Sequence, residues 1–355
     1  MINNQIYRES LEQVLNFVEV SNASFLVTGA SGLIGSCLID LLMLANKKGS
    51  NNKVYALSRS RKKLESRFPD YVWNPNFVVL EQNICQPIDD SLQFDYIFHG
   101  ASNADPVSYA KYPVETMTTN ILGTNNVLEY GKKHPGCKLL IMSTFEVYGY
   151  KGQDIYIETD AGVIDFNAFR SCYPESKRSV EILSRCYHSE YNVDVRVARL
   201  SSIYGPTMAV DDSKAHAQFL KKAINGENIV LKSKGLQKRT YTYVIDAVTA
   251  LMSVMFKGLA GESYNISNEK SIATIAEVAD ICANLAGTDV DFDIPSELEA
   301  KGFSKPQNCI LDNSKLKSLG WKGLYTVKRG FGECYNILKT SCPVLIYMVW
   351  SSLGC

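Results

Sequence analysis

The chain has 355 residues, 46% hydrophobic and 21% charged, which suits one large globular domain or two coupled ones and excludes an intrinsically disordered chain. Thirty-seven basic residues balance thirty-seven acidic ones, so no net charge argues for nucleic acid as a partner. The ten cysteines (Cys37, Cys85, Cys137, Cys172, Cys186, Cys282, Cys309, Cys334, Cys342 and Cys355) form no CxxC pair and no metal spacing with the four histidines. Reduced thiols, a cytoplasmic setting and no metal centre are therefore expected.

The opening "MINNQIYRESLEQVLNFVEV" lacks a basic segment followed by an apolar run, so no secretion signal is expected; residues 1–22 read as a helical extension. "SFLVTGASGLIGSCLIDLLMLANKKG" then runs from a short apolar strand through a glycine turn into a helix. "KVYALSR", "FVVLEQNI" and "FDYIFHGAS" read as the next three strands. "YPVETMTTNILGTNNVLEYGKKH" has helical spacing, "CKLLIMSTFEVYG" is a buried strand entering a loop, and "VDVRVARLSSIYGP" is one further strand. Short apolar runs alternating with helices predict an α/β fold, a Rossmann doubly wound parallel sheet over residues 23–204. From about residue 205 the alternation weakens, and residues 205–335 are expected to form a smaller mixed substrate lobe, interleaved with the first. Residues 336–355 read as an apolar tail. Its segment "CPVLIYMVW" is much shorter than the ~20 residues of a membrane-spanning helix. Docking of the tail onto the protein is the plain expectation, with a peripheral membrane contact as the alternative.

Three features carry chemistry. Gly29, Gly32 and Gly35 sit between a strand and a helix, where glycine lets backbone N–H groups approach a pyrophosphate at a helix N-terminus. An ordinary strand–helix turn is the plain alternative. At the end of the second strand stand Ser58 and Arg59, with Arg61, Lys62 and Lys63 behind. An acidic residue there grips the ribose 2′-hydroxyl of NAD and an arginine accommodates a 2′-phosphate, so NADP is favoured over NAD. The third feature is Tyr173 and Lys177, one helical turn apart and so on one face, with Thr144 on a loop after another strand. They are either a solvated surface pair or a phenol whose proton affinity a lysine adjusts.

With these features in this order, the chain resembles the extended short-chain dehydrogenase/reductase superfamily. Within it the likeness is to the NAD(P)-dependent nucleotide-sugar epimerase/dehydratase family, over residues 23–335, through "TGASGLIG", "TNILGT", "STFEVYG", "YPESK" and "KRTYTYVIDAV". The resemblance implies a retained nicotinamide and a nucleotide-diphosphate sugar oxidised at C4. Tyr173 would be the base, Lys177 its activator and ribose anchor, and Thr144 the hydroxyl partner. Asn83, Ile84 and Ala101 would lie against the cofactor, Asn83 standing where relatives carry an aspartate.

Dehydratases of this family place Asp and Glu after the threonine, whereas this chain has Phe145 and Glu146. UDP-glucuronate decarboxylases are more similar, because loss of carbon dioxide requires no acid for a departing hydroxyl. By this similarity Glu146 is a candidate catalytic carboxylate, Arg239 binds the diphosphate, and Ser202 takes the place of a diphosphate-contacting asparagine. By the same similarity Lys305 of the segment "FSKPQNCILD" would lie near the substrate. A 4-epimerase, an NADPH-dependent 4-keto-sugar reductase and a non-catalytic scaffold are the alternatives. The family also implies a homodimer through the helices starting near Tyr112 and bearing Tyr173, and a role in polysaccharide biosynthesis.

Overall fold

The computed structural model describes residues 1–294 and 307–341. In chain order the strands are β1 (Ser24–Thr28), β2 (Lys53–Ser58), β3 (Phe77–Glu81), β4 (Tyr96–His99), β5 (Lys138–Thr144), β6 (Ile155–Tyr156) and β7 (Val195–Leu200). They continue as β8 (Ser202–Tyr204), β9 (Ile229–Leu231), β10 (Lys238–Tyr243), β11 (Ser263–Ile266), β12 (Ile272–Thr274), β13 (Val290–Phe292) and β14 (Ile310–Leu311). The first helices are α1 (Gln5–Glu12), α2 (Leu33–Lys47), α3 (Arg61–Arg67), α4 (Pro106–Lys111) and α5 (Pro113–Lys133). After them come α6 (Cys172–Tyr191), α7 (Ala215–Asn225), α8 (Val244–Lys257), α9 (Ile275–Ala286) and a C-terminal helix over Val327–Ser341.

Seven strands form one parallel sheet in the order β11-β7-β5-β4-β1-β2-β3. Side chains alternate between its faces, and both faces are covered, as parallel strands require. Phe25 and Val27 of β1, and Leu140 and Met142 of β5, pack with α2 and α8 on one side. Leu26, Leu139 and Ile141 pack with Val127 of α5 and Val180 of α6 on the other. Strand order reverses at β1, which pairs with both β2 and β4; in such sheets ligands bind beyond the carboxyl ends of the strands at that reversal. The expected α/β doubly wound architecture is present.

One expected element divides in two. "VDVRVARLSSIYGP" reads as a single strand, but the chain changes sheets at Ser201. Residues Val195–Leu200 belong to the large sheet, whereas Ser202–Tyr204 pair with Tyr241–Tyr243 of β10 in a small one. Ser201 makes the break by donating its N–H to Ile266 O (3.1 Å) and sharing a hydrogen bond with Thr242 Oγ1 (2.7 Å). The switch places Ser202 opposite Tyr241, and both Ser202 and Arg239, two residues before Tyr241 on β10, line the cavity beyond the end of the large sheet. Strand β11, which comes after residue 204, then returns to the large sheet beside β7.

Helix α1 anchors the N-terminal extension. The Tyr7 hydroxyl donates to buried Asp40 on α2 (3.0 Å), which also accepts from Tyr71 and Arg67. Among the described residues no helix is long and apolar enough to cross a membrane, and the expectations for residues 342–355 lie outside the described residues.

Candidate active site

Beyond the carboxyl ends of β1, β4 and β5 opens a cavity of about 810 Å³. Its first half is built from backbone. Gly29 has φ +69°, and a Cβ there would come within 2.7 Å of the Gly100 carbonyl carbon. A Cβ on Gly35 would lie 2.5 Å from Gly29 O. Only hydrogen fits at both places, so α2 begins directly against the turn. Gly32 caps α2 without a side-chain hydrogen bond, and its first residues line the cavity, leaving the uncapped N–H end for a phosphate. This cradle fits the pyrophosphate of a dinucleotide.

Thr28 secures the opposite wall. Its hydroxyl oxygen accepts from Gly100 N and Ala101 N, both at 3.1 Å, and lies 2.8 Å from His99 Nδ1. With both amides donating, the hydroxyl proton goes to Nδ1, and Nε2–H faces Thr124 Oγ1 at 3.2 Å. Burial, with the Lys177 charge second, pushes His99 down to about 3, so the ring is neutral at physiological pH. Ala101, Ser58, Arg59, Asn83 and Ile84 all line the cavity. Asn83 Oδ1 already accepts from Cys85 N (3.1 Å), which leaves one lone pair for an adenine amino group.

The catalytic candidates converge at the other half. Thr144 ends β5, and Tyr173 and Lys177 stand one turn apart on α6, all three buried and lining the cavity. The Tyr173 ring stacks on Tyr109 with centroids 4.4 Å apart. Burial drives its phenol upward, the Glu146 charge adds to this, and the neighbouring Thr144 and Tyr109 hydroxyls oppose it. Lys177 donates to Met142 O at 2.9 Å, and burial pulls it down to about 8 against the attraction of Glu181. Glu181 lies one turn beyond Lys177, accepts from Ser143 and is paired with Arg199 at 2.7 Å. The surface-pair reading of Tyr173 and Lys177 does not survive their burial.

On the substrate side, Glu146 is held by Arg170 in a two-point ion pair of 2.9 and 3.2 Å. The Arg239 guanidinium lies 5.7 Å from the Phe145 ring centroid, and Ser202 lines the same wall. Lys305 lies outside the described residues. Sequence reasoning missed Tyr109, Arg170 and His216, which also line the cavity. Arg170 stands in the short 3-10 turn Phe169–Ser171 that leads into α6, so only its closeness in sequence to Tyr173 could have flagged it. Tyr109 and His216 carried no signal, because the fold alone brings them in.

Residues 25–267 match the NAD-dependent epimerase/dehydratase family. The chain belongs to that family. It is an NAD(P)-dependent enzyme of the epimerase/dehydratase type. UDP-glucuronic acid decarboxylase 6 of Arabidopsis thaliana is 32% identical over 311 residues, covering 87% of each chain. UDP-glucuronic acid decarboxylase 1 of Xenopus tropicalis is 29% identical over 322 residues, covering 90% of this chain and 73% of its own. In fold, the chain is similar to UDP-glucuronic acid 4-epimerase from Bacillus cereus, solved with UDP-glucuronic acid and NAD. The TM-score is 0.76 at 24% identity, covering 90% of this chain and 99% of that one.

Proposed function

We propose that this enzyme decarboxylates a UDP-linked uronic acid, UDP-glucuronate by preference, through a 4-keto intermediate and releases a UDP-pentose. The observation that carries the reading is the pairing of a buried Thr144–Tyr173–Lys177 centre with Arg170 beside it, in a chain about 30% identical to UDP-glucuronic acid decarboxylases over most of its length.

The bound nicotinamide supplies the acceptor for the C4 hydride and its later donor. Tyr173 takes the proton of the sugar 4-hydroxyl as its phenolate, and Thr144 holds that oxygen in line. Lys177, ammonium at neutral pH, offsets the phenolate charge and holds a ribose hydroxyl. Arg239 and Ser202 grip the diphosphate. A ketone at C4 makes the C6 carboxylate that of a β-keto acid, which loses carbon dioxide without a base as electrons flow toward the C4 oxygen. Tyr173 and Thr144 donate to that oxygen and stabilise the enolate. Arg170 orients the carboxylate, and C5 takes up a proton from a solvent water that the Glu146 carboxylate positions.

The fixed Glu146–Arg170 pair favours a second reading, a 4-epimerase, which uses only Thr144, Tyr173 and Lys177 and room for the ketose to turn. NADP is the preferred cofactor in this account. Ser58 ends β2 without a carboxylate, and Arg59, Ser60 and Lys63 line that end of the cavity, a basic setting for a 2′-phosphate. The account includes a cytoplasmic homodimer, joined through α5 and α6, that supplies polysaccharide precursors. Val114, Met117 and Leu122 on α5 and Ile182 on α6 are exposed apolar groups suited to that contact.

One experiment separates the readings. The purified protein is incubated with UDP-glucuronate, with and without added NADPH, and the products and the cofactor released on denaturation are weighed by mass spectrometry. Loss of carbon dioxide without added reductant is expected, with NADP released. An isomer of unchanged mass would replace the decarboxylase with the epimerase, and release of NAD alone would overturn the cofactor preference.

A further inference from the structure

We propose that Tyr109 is a positioning residue for Tyr173, whose hydroxyl donates a hydrogen bond to the Tyr173 phenol oxygen and stabilises the phenolate that receives the sugar's proton. The two rings lie nearly parallel, 12° apart, with centroids separated by 4.4 Å. Tyr109 is 3% exposed and forms a closed cluster with Cys172 and Tyr173. That contact is costly to leave to chance, because α4 is only six residues long and a helix that short does not stand alone. Its position is fixed from outside. Tyr109 N donates to Asp105 O (3.1 Å), Val107 N donates to Asp105 Oδ1 (3.0 Å), and the Asp105 carboxylate accepts from Ser213 Oγ (2.6 Å) across the cavity mouth.

The lysine leaves a role for such a donor. Lys177 Nζ lies 6.0 Å from the Tyr173 ring centroid and directs a hydrogen bond to Met142 O. It acts on the phenolate through charge and leaves hydrogen bonding to the hydroxyls nearest the phenol, those of Thr144 and of the stacked Tyr109. Burial first, and then the neighbouring Tyr173, drive Tyr109 upward, so Tyr109 keeps its proton while Tyr173 loses its own. The other charged or titratable groups around the pair are Glu146 and Arg170 on the loop side, and Cys172 and Lys177 on α6. Glu146 opposes the phenolate and Arg170 partly offsets Glu146. In each cycle Tyr173 gains one proton from the sugar hydroxyl and returns it; Tyr109 exchanges none. The inference applies to any route through a 4-keto sugar and does not depend on decarboxylation.

The test uses Tyr109→Phe, which keeps the ring and deletes the hydroxyl, and Tyr109→Leu, which deletes both. In cofactor-loaded protein labelled with ¹³C at tyrosine Cζ, Tyr173→Phe assigns the Tyr173 resonance. Tyr109→Phe is expected to move that resonance at neutral pH, because the ring current is kept and only the donated bond is lost. The acidic limb of the kcat/KM profile for UDP-glucuronate is expected to rise by about one pH unit in both variants, the size of one hydrogen bond. An unmoved resonance in Tyr109→Phe, or a shifted limb in Tyr109→Leu alone, would overturn the proposal and reduce Tyr109 to packing. The resonance needs no turnover, so it decides the matter even where the decarboxylase reading fails.

Discussion

Lys177 is where function and stability oppose each other most directly. Its ammonium is buried, and burial brings its proton affinity from 10.5 down to about 8. In the unfolded chain the lysine stays protonated up to about 10.5, so between these values unfolding takes up a proton. The charge therefore costs stability in full below pH 8, and the cost disappears as pH rises from 8 to 10.5. A shift of this size corresponds to about 3 kcal/mol. Lys177→Met, with similar volume and no charge, is expected to be at least as stable as the parent at pH 7 while losing turnover. The stability difference should shrink as pH rises through that window, followed by urea unfolding of cofactor-free protein. A variant less stable than the parent at pH 7 would show that the Met142 hydrogen bond outweighs burial of the charge. Of this residue's surroundings Tyr173 was legible in the sequence, because a four-residue spacing on a helix is local information; Glu181 shares that spacing on the other side. Its partner Arg199 (2.7 Å) and the Tyr109 ring come from other elements, and no local pattern records them.

At the level of elements, the glycine turn was readable because its physical requirement is local: strand, tight turn, helix. The structure adds the magnitude. Gly35→Ala would place a methyl 2.5 Å from Gly29 O, and backbone must move to relieve it. Overpacking of this kind costs about 1–3 kcal/mol and should tilt α2 away from its cradle. Thermal unfolding and a cofactor titration are expected to show both losses, and parental affinity in the variant would contradict the assignment of this turn to the pyrophosphate. The division of β7 from β8 was not readable. Apolar and polar residues run on through Ser201 without a glycine or proline to mark a break. Only pairing with β10, a strand distant in sequence, pulls Ser202 out of the large sheet. Sheet register is a tertiary property, and a single-strand reading cannot contain it.

At the scale of the whole molecule, the cavity lies between the two parts of the chain: Gly29, Arg59 and Tyr173 approach it from the nucleotide-binding sheet, and Ser202, His216 and Arg239 from beyond it. The sequence showed all of these residues except His216, but not the route by which β11 returns to the large sheet after residue 204. If α5 and α6 form a dimer contact, the protein at micromolar concentration should sediment at twice the chain's mass, and a purely monomeric species would remove that contact from the account. The central claim is that Tyr173 is the proton acceptor of a sugar oxidation whose hydride goes to a bound nicotinamide. Rapid mixing of the cofactor-loaded protein with UDP-glucuronate, followed by the near-ultraviolet absorbance of the reduced nicotinamide, tests it most directly. The account predicts a transient rise in the parent, and in Tyr173→Phe a rise at least about 10²-fold slower with cofactor still bound. Reduction at the parental rate in Tyr173→Phe would contradict it.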